Sequence, residues 1–125
     1  NGDDYIDSGK GNDTLQGLGG RDILIGGADD DTLDGGADAD LIYGDASDPD
    51  STNVTGNDTI TGGGGNDTIY GGGGNDIIDG GAGSDILRGG EGDDLITDEW
   101  GNDTIEGGTG NDRMFGGAAL FDIVT

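Results

Sequence analysis

The chain has 125 residues, of which 32 are glycine, one is proline and 29% are hydrophobic, and it carries a formal charge of −24 from 28 acidic and 4 basic side chains. Globular chains use glycine at about 7%, so this composition belongs to a periodic or a disordered segment; its charge excludes nucleic acid and anionic membrane surfaces, which need a basic face, and favours multivalent cations. Cysteine and histidine are absent, which excludes a disulfide framework, thiol chemistry, Ser/His or Cys/His nucleophiles and zinc held by nitrogen and sulfur.

A nine-residue period organises the chain. It opens with Asp4 and, two residues on, Ile6, and continues through Asp13 and Leu15, Asp22 and Leu24, Asp31 and Leu33, and Asp40 and Ile42. One step of eighteen follows, around Pro49, where Ser51 stands in the apolar position. The period resumes with Asp58 and Ile60, then Asp67 and Ile69, Asp76 and Ile78, Asp85 and Leu87, Asp94 and Ile96, Asp103 and Ile105, and Asp112 and Met114. Residues 116–125 break the pattern with one extra residue and with Ala118, Ala119, Leu120 and Phe121 in place of loop glycines. The expected organisation is one domain over 1–125, with a degenerate repeat or loop at 45–55 and a terminal cap at 116–125, since end repeats of solenoids are atypical.

The unit is Gly-Gly-x-Gly-x-Asp-x-U-x, with U apolar, cleanest at 62–70, 71–79 and 80–88. The trio x-U-x is a minimal strand whose U side chain points opposite to its flanks. The six residues before it must reverse the chain, and glycine supplies positive φ and close backbone approach. Two units then make a turn of eighteen residues, and successive turns stack as parallel strands about 4.8 Å apart. This predicts an all-β, right-handed parallel β-roll with the U residues of two sheets meeting inside.

Simple counting by eighteen puts Asp4, Asp22, Asp40, Asp58, Asp76, Asp94 and Asp112 in one column and Asp13, Asp31, Asp67, Asp85, Asp103 and Asp122 in the other. Carboxylates one strand spacing apart repel without a cation between them, and calcium, which takes six or more oxygens at about 2.3–2.6 Å, suits the gap better than the tighter octahedral magnesium. Backbone carbonyls of the loop glycines are expected to complete the shells: Gly2, Gly11, Gly20, Gly27, Gly36, Gly56, Gly63, Gly65, Gly72, Gly74, Gly81, Gly83, Gly90, Gly92, Gly101, Gly108 and Gly110. This counting predicts about nine ions, six gaps in the first column and three in the second. One aliphatic side chain per nine residues, on a glycine-rich and highly charged backbone, predicts a disordered metal-free chain in which calcium binding and folding are one event.

The same counting collects Tyr5, Ile23, Ile25, Leu41, Tyr43, Ile77, Leu95 and Phe115 on the outside of one sheet, a surface for a neighbouring module or self-association. The other sheet would show Thr14, Thr32, Thr68 and Thr104, beside a second column too irregular for an ice-binding face. Trp100 replaces a loop residue and is expected to pack over the roll's edge. The Asn-Asp-Thr triplets at Asn12, Asn57, Asn66 and Asn102 are products of the repeat. No acid/base pair set apart from the columns is visible, and an active site is not expected.

With its nonapeptide copies quoted above, the chain resembles the repeat domains of RTX proteins, the haemolysin-type calcium-binding repeats, over essentially its whole length. The resemblance implies a bacterial protein that leaves the cell by type I secretion and folds on external calcium. It leaves the parent open: a calcium-dependent folding and secretion module, a structural module of an adhesin, surface layer or fibre, or the non-catalytic part of a secreted lipase, protease or epimerase. No apolar run approaches the roughly 20 residues of a membrane span, no signal peptide opens the chain, and a start at Asn1 is expected for a piece of a longer protein.

Overall fold

The computed structural model describes residues 2–46 and 55–117 and the backbone of 123–124. Thirteen strands alternate between two sheets and no helix occurs among the described residues. The strands are β1 (Tyr5–Lys10), β2 (Thr14–Gly19), β3 (Ile23–Ala28), β4 (Thr32–Ala37), β5 (Leu41–Asp45), β6 (Thr59–Gly64), β7 (Thr68–Gly73), β8 (Ile77–Ala82), β9 (Ile86–Glu91), β10 (Leu95–Thr97), β11 (Thr104–Thr109), β12 (Arg113–Phe115) and β13 (Ile123–Val124). One sheet runs β1-β3-β5-β7-β9-β11-β13 and the other β2-β4-β6-β8-β10-β12, every pair parallel. The architecture is a parallel β-solenoid of two half-turns per rung.

Most strands are six residues rather than three, because the ladder continues from x-U-x through the next glycine pair. Between the sheets the U residues form one core. Leu15, Leu24, Leu33, Ile42, Ile60, Ile69, Ile78, Leu87, Ile96 and Ile105 are buried, and Ile6 and Met114 pack against them at the two ends. All twelve expected core positions therefore face inward.

The long step at Asp40–Asp58 resolves differently from the eighteen-residue count. Gly44 and Asp45 close β5, with Asp45 paired to Gly27, and Gly56 N–H donates to the Gly73 carbonyl as Gly65 N–H does to Ala82. The flanking register thus leaves nine residues, 47–55, one full period, between two positions that a regular half-turn joins directly. Leu33 pairs with Ile60 and Ile42 with Ile69, each 27 residues apart. The positions of Pro49 and Ser51, like most of the C-terminal cap and Asp122, lie outside the described residues.

An insertion of one period exchanges the sheets for everything after it. The expected apolar face is therefore divided: Ile23, Ile25, Leu41 and Tyr43 lie on the seven-stranded sheet, Ile77, Leu95 and Phe115 on the six-stranded one. No single sheet carries the proposed contact surface. The threonines divide in the same way, Thr14, Thr32 and Thr59 on one sheet and Thr68 and Thr104 on the other. On the seven-stranded sheet Tyr43 stacks on Tyr70 at 5.1 Å between ring centres. Trp100 bridges to Ala82 at a sheet margin with its side chain 64% exposed.

Candidate metal centre

With Asp as the sixth position of each unit, the strand register fixes two columns. They are Asp4, Asp22, Asp40, Asp67, Asp85 and Asp103 on one side, and Asp13, Asp31, Asp58, Asp76, Asp94 and Asp112 on the other. The assignment of Asp58, Asp76, Asp94 and Asp112 to the Asp4 column, and of Asp67, Asp85 and Asp103 to the Asp13 column, is corrected by the insertion. Asp31 and Asp67, which the count by eighteen puts in one column, stand in different columns.

A single hydrogen bond repeats up each column. The Asp4 N–H donates to Asp22 Oδ1, Asp22 to Asp40, Asp40 to Asp67, Asp67 to Asp85 and Asp85 to Asp103, at 2.7–3.0 Å. The other column runs from Asp13 through Asp31, Asp58, Asp76 and Asp94 to Asp112 at 2.8–3.1 Å. Beside it the fifth-position side chains form a ladder of opposite sense, in which Asn75 N–H donates to Asn57 Oδ1, Asp93 to Asn75 and Asn111 to Asp93. Every ladder Asp after Asp4 and Asp13 is thereby held at Oδ1 in one orientation.

The second oxygen is the informative one. Oδ2 of Asp13, Asp22, Asp31, Asp40, Asp58, Asp67, Asp76, Asp85 and Asp94 is buried without a hydrogen-bond partner. Leaving one buried charged acceptor unpaired costs several kcal/mol, and here the defect recurs at every rung. Burial is the leading cause that pushes the carboxyls of Asp58 and Asp76 up to about 7 and those of Asp40 and Asp85 to about 6. Asp31, Asp67 and Asp94 shift upward for the same reason, partly offset by the backbone N–H each accepts. A neighbouring cation removes both penalties.

What Oδ2 faces is set by the first glycine of each unit. A Cβ placed on Gly62 would fall 2.5 Å from the Gly80 carbonyl oxygen and 2.6 Å from Asp67 Oδ2. The same pair, own-loop Asp Oδ2 and the first-position carbonyl of the next turn, surrounds Gly17, Gly26, Gly35, Gly44, Gly71 and Gly89. None of these glycines has positive φ, so space rather than backbone conformation requires glycine. At Ser8, which holds the first position of its unit, the hydroxyl enters this space and donates to the Gly26 carbonyl at 2.6 Å.

The glycines expected to contribute carbonyls fall into two other classes. In the fourth-position set, Gly2, Gly11, Gly20, Gly56, Gly65, Gly74, Gly83, Gly92, Gly101 and Gly110, a Cβ on all but Gly2 and Gly11 would meet the fourth-position carbonyl of the preceding turn, and on Gly56, Gly83 and Gly101 it would also lie 2.9, 3.1 and 2.5 Å from Oδ1 of Asp58, Asp85 and Asp103. The second-position set, Gly27, Gly36, Gly63, Gly72, Gly81, Gly90 and Gly108, has positive φ. A Cβ on most of these would meet the second-position carbonyl of the preceding turn rather than a carboxylate. Sequence reasoning omitted the first-position glycines that the structure sets against Oδ2. The sequence held little signal for them: Leu18, Asp45 and Glu99 replace the second glycine, and Ser8 and Asp98 the first.

The donors are carboxylates and carbonyls, hard oxygens that suit calcium. A family model described as the RTX calcium-binding nonapeptide repeat (4 copies) matches residues 1–15, 16–48, 53–87, 79–114 and 97–119. No curated protein and no solved structure matches the chain.

Proposed function

The chain belongs to the RTX calcium-binding nonapeptide repeat family, and on that basis we propose that it is a module of a larger secreted bacterial protein, folding outside the cell as calcium fills its two ladders. The repeats bind calcium, and a roll of this kind is a structural module. The carrying observation is the recurrence of a buried, unpartnered Asp Oδ2 facing a glycine-lined space and a carbonyl of the next turn.

When bound, calcium supplies the positive charge that joins adjacent turns. The chain's own residues do the rest. Backbone N–H groups hold each Oδ1, first-position glycines keep the space in front of Oδ2 open, and fourth-position carbonyls flank the other edge. Each ladder of six aspartates has five gaps, so the corrected register offers ten, five plus five, rather than six plus three. Ten divalent ions would bring −24 to −4. Sites of the extracellular class, with Kd of about 10⁻⁴–10⁻³ M, stay empty in a calcium-poor cytosol and fill outside. A disordered chain during export and a folded one afterwards then follow from a single variable.

Equilibrium dialysis with ion counting, followed by circular dichroism in chelator and in calcium, tests the reading. The expected result is about ten ions, coil without calcium and a cooperative gain of β signal with it. Fewer than five ions, or a folded metal-free chain, overturns it.

A further inference from the structure

One rung differs chemically from the rest. Asp98 stands in the first position of its unit, where nine other units carry glycine. Strand β10 stops at Thr97, and Asp98 N–H donates to the Phe115 carbonyl while Glu99 N–H donates to Asp98 Oδ1 at 2.7 Å. The Asp98 side chain is 5% exposed and its Oδ2 has no hydrogen-bond partner. That oxygen is aimed into the space over Gly80. A Cβ on Gly80 would meet Asp98 Oδ2 at 2.8 Å and Asp85 Oδ2 at 2.9 Å, where the equivalent glycines meet a backbone carbonyl instead. Carboxylate oxygens of Asp85, Asp98 and Asp103 all lie within 4.8 Å of one another, the one such trio among the described residues.

We propose that Asp85, Asp98 and Asp103 form a distinct cation site, the tightest in the roll and the first to fill, with a preference for hard ions of higher charge. The inference rests on the calcium reading of the ladders and adds a specific asymmetry to it. At every other full gap a neutral carbonyl completes the space; here a third carboxylate does, and affinity in oxygen-ligand sites rises with ligand charge count. Because this site joins the turns carrying β9 and β11, its early filling ties down the C-terminal half of the roll before the rest is loaded.

Trp100 is the sole tryptophan and lies two residues from Asp98, within about 8 Å along the chain. It serves as a built-in sensitiser for terbium(III). Titrating the full chain with terbium and exciting Trp100 should give sensitised emission that saturates at about one ion per chain, well before total binding saturates. Asp98→Asn, and Asp98→Gly as the variant that restores the repeat residue, should lose this early step and bind the first ion roughly tenfold more weakly. Glu99→Gln removes the same charge from an exposed neighbour and should titrate like the parent. If the Asp98 variants fold with calcium and keep the early step, or if parental emission rises only in step with total binding, the proposal is wrong. A parental chain that gains no β signal with calcium instead refutes the ladder reading itself.

Discussion

Replacing Gly62 by alanine isolates the space in front of Oδ2. Gly62 does not have positive φ, so alanine suffers no backbone penalty there. Its methyl would sit 2.5 Å from the Gly80 carbonyl oxygen and 2.6 Å from Asp67 Oδ2, against ordinary contacts of 3.4–4 Å. Asp67 cannot swing aside freely, because its Oδ1 is held by the Asp40 N–H at 2.7 Å. The methyl therefore takes the volume an ion needs. At free calcium a hundredfold above Kd, one lost ion removes about 2.7 kcal/mol of stability, while alanine's smaller unfolded-state entropy returns about 0.4–1 kcal/mol. A net loss of at least about 2 kcal/mol, increased by whatever it costs to move the Gly80 carbonyl away from the methyl, and one fewer bound ion are expected. Gly64→Ala is the matched control, two residues away, without positive φ and with nothing within 4 Å of its Cβ; it should gain the 0.4–1 kcal/mol and keep every ion. Urea midpoints at fixed free calcium, with ion counts, separate the two. If the Gly62 variant matches the Gly64 variant in both, the first-position glycines do not guard the metal space.

Further outcomes follow from the same geometry. The raised carboxyls of Asp58, Asp76, Asp40 and Asp85, at about 6 to 7 in the fold against about 3.9 unfolded, favour the metal-free fold when protonated. That contribution is complete below about pH 4 and lost as pH rises through 6–7, so chelated protein should show more β signal near pH 4 than near pH 8. Calcium must displace those protons, and calcium titrations should show affinity falling between about pH 8 and pH 5. Ile69→Ala, in a fully buried core position, should cost about 2–5 kcal/mol in calcium-loaded denaturant melts with the ion count unchanged. Deleting residues 47–55 joins Ala46 to Gly56 and restores a unit of ordinary length; ion counts should be unaffected and stability should change by no more than about 1 kcal/mol, the loop-closure scale. Loss of calcium-driven folding in that deletion would show that the insertion is part of the roll.

The core and the ligand aspartates were legible because they repeat at fixed offsets: each U residue from Ile6 to Met114 is core because its Asp is two residues before it. The parity of the second half was not legible. An insertion equal in length to the period leaves the pattern of Asp40 and Asp58 looking undisturbed, and it is the strand pairing, Leu33 with Ile60 and Ile42 with Ile69, that reveals it. The role of Gly17 and Gly62 was hidden for another reason. Glycine is read first as conformational freedom, and these two serve by emptiness. Asp98 reads in sequence as one more acid in an acidic chain; its meaning lies in occupying a place where the other units carry glycine or, at Ser8, a small neutral hydroxyl.

The hydrogen-bond ladders also bear on how the roll assembles over time. Asp76 accepts from Asp58 N–H through Oδ1 while its own N–H donates to Asp94, so no rung can be oriented without orienting both neighbours. Such an array behaves as a one-dimensional lattice with nearest-neighbour coupling. Order advances along it as a boundary, each completed rung presenting a ready template to the next, and the growth stalls wherever the template is missing. Exposed Asp4 and half-exposed Asp112 have a neighbour on one side only in their ladders, so the roll should fray from these ends inward as calcium is withdrawn and re-form as a travelling front when it returns.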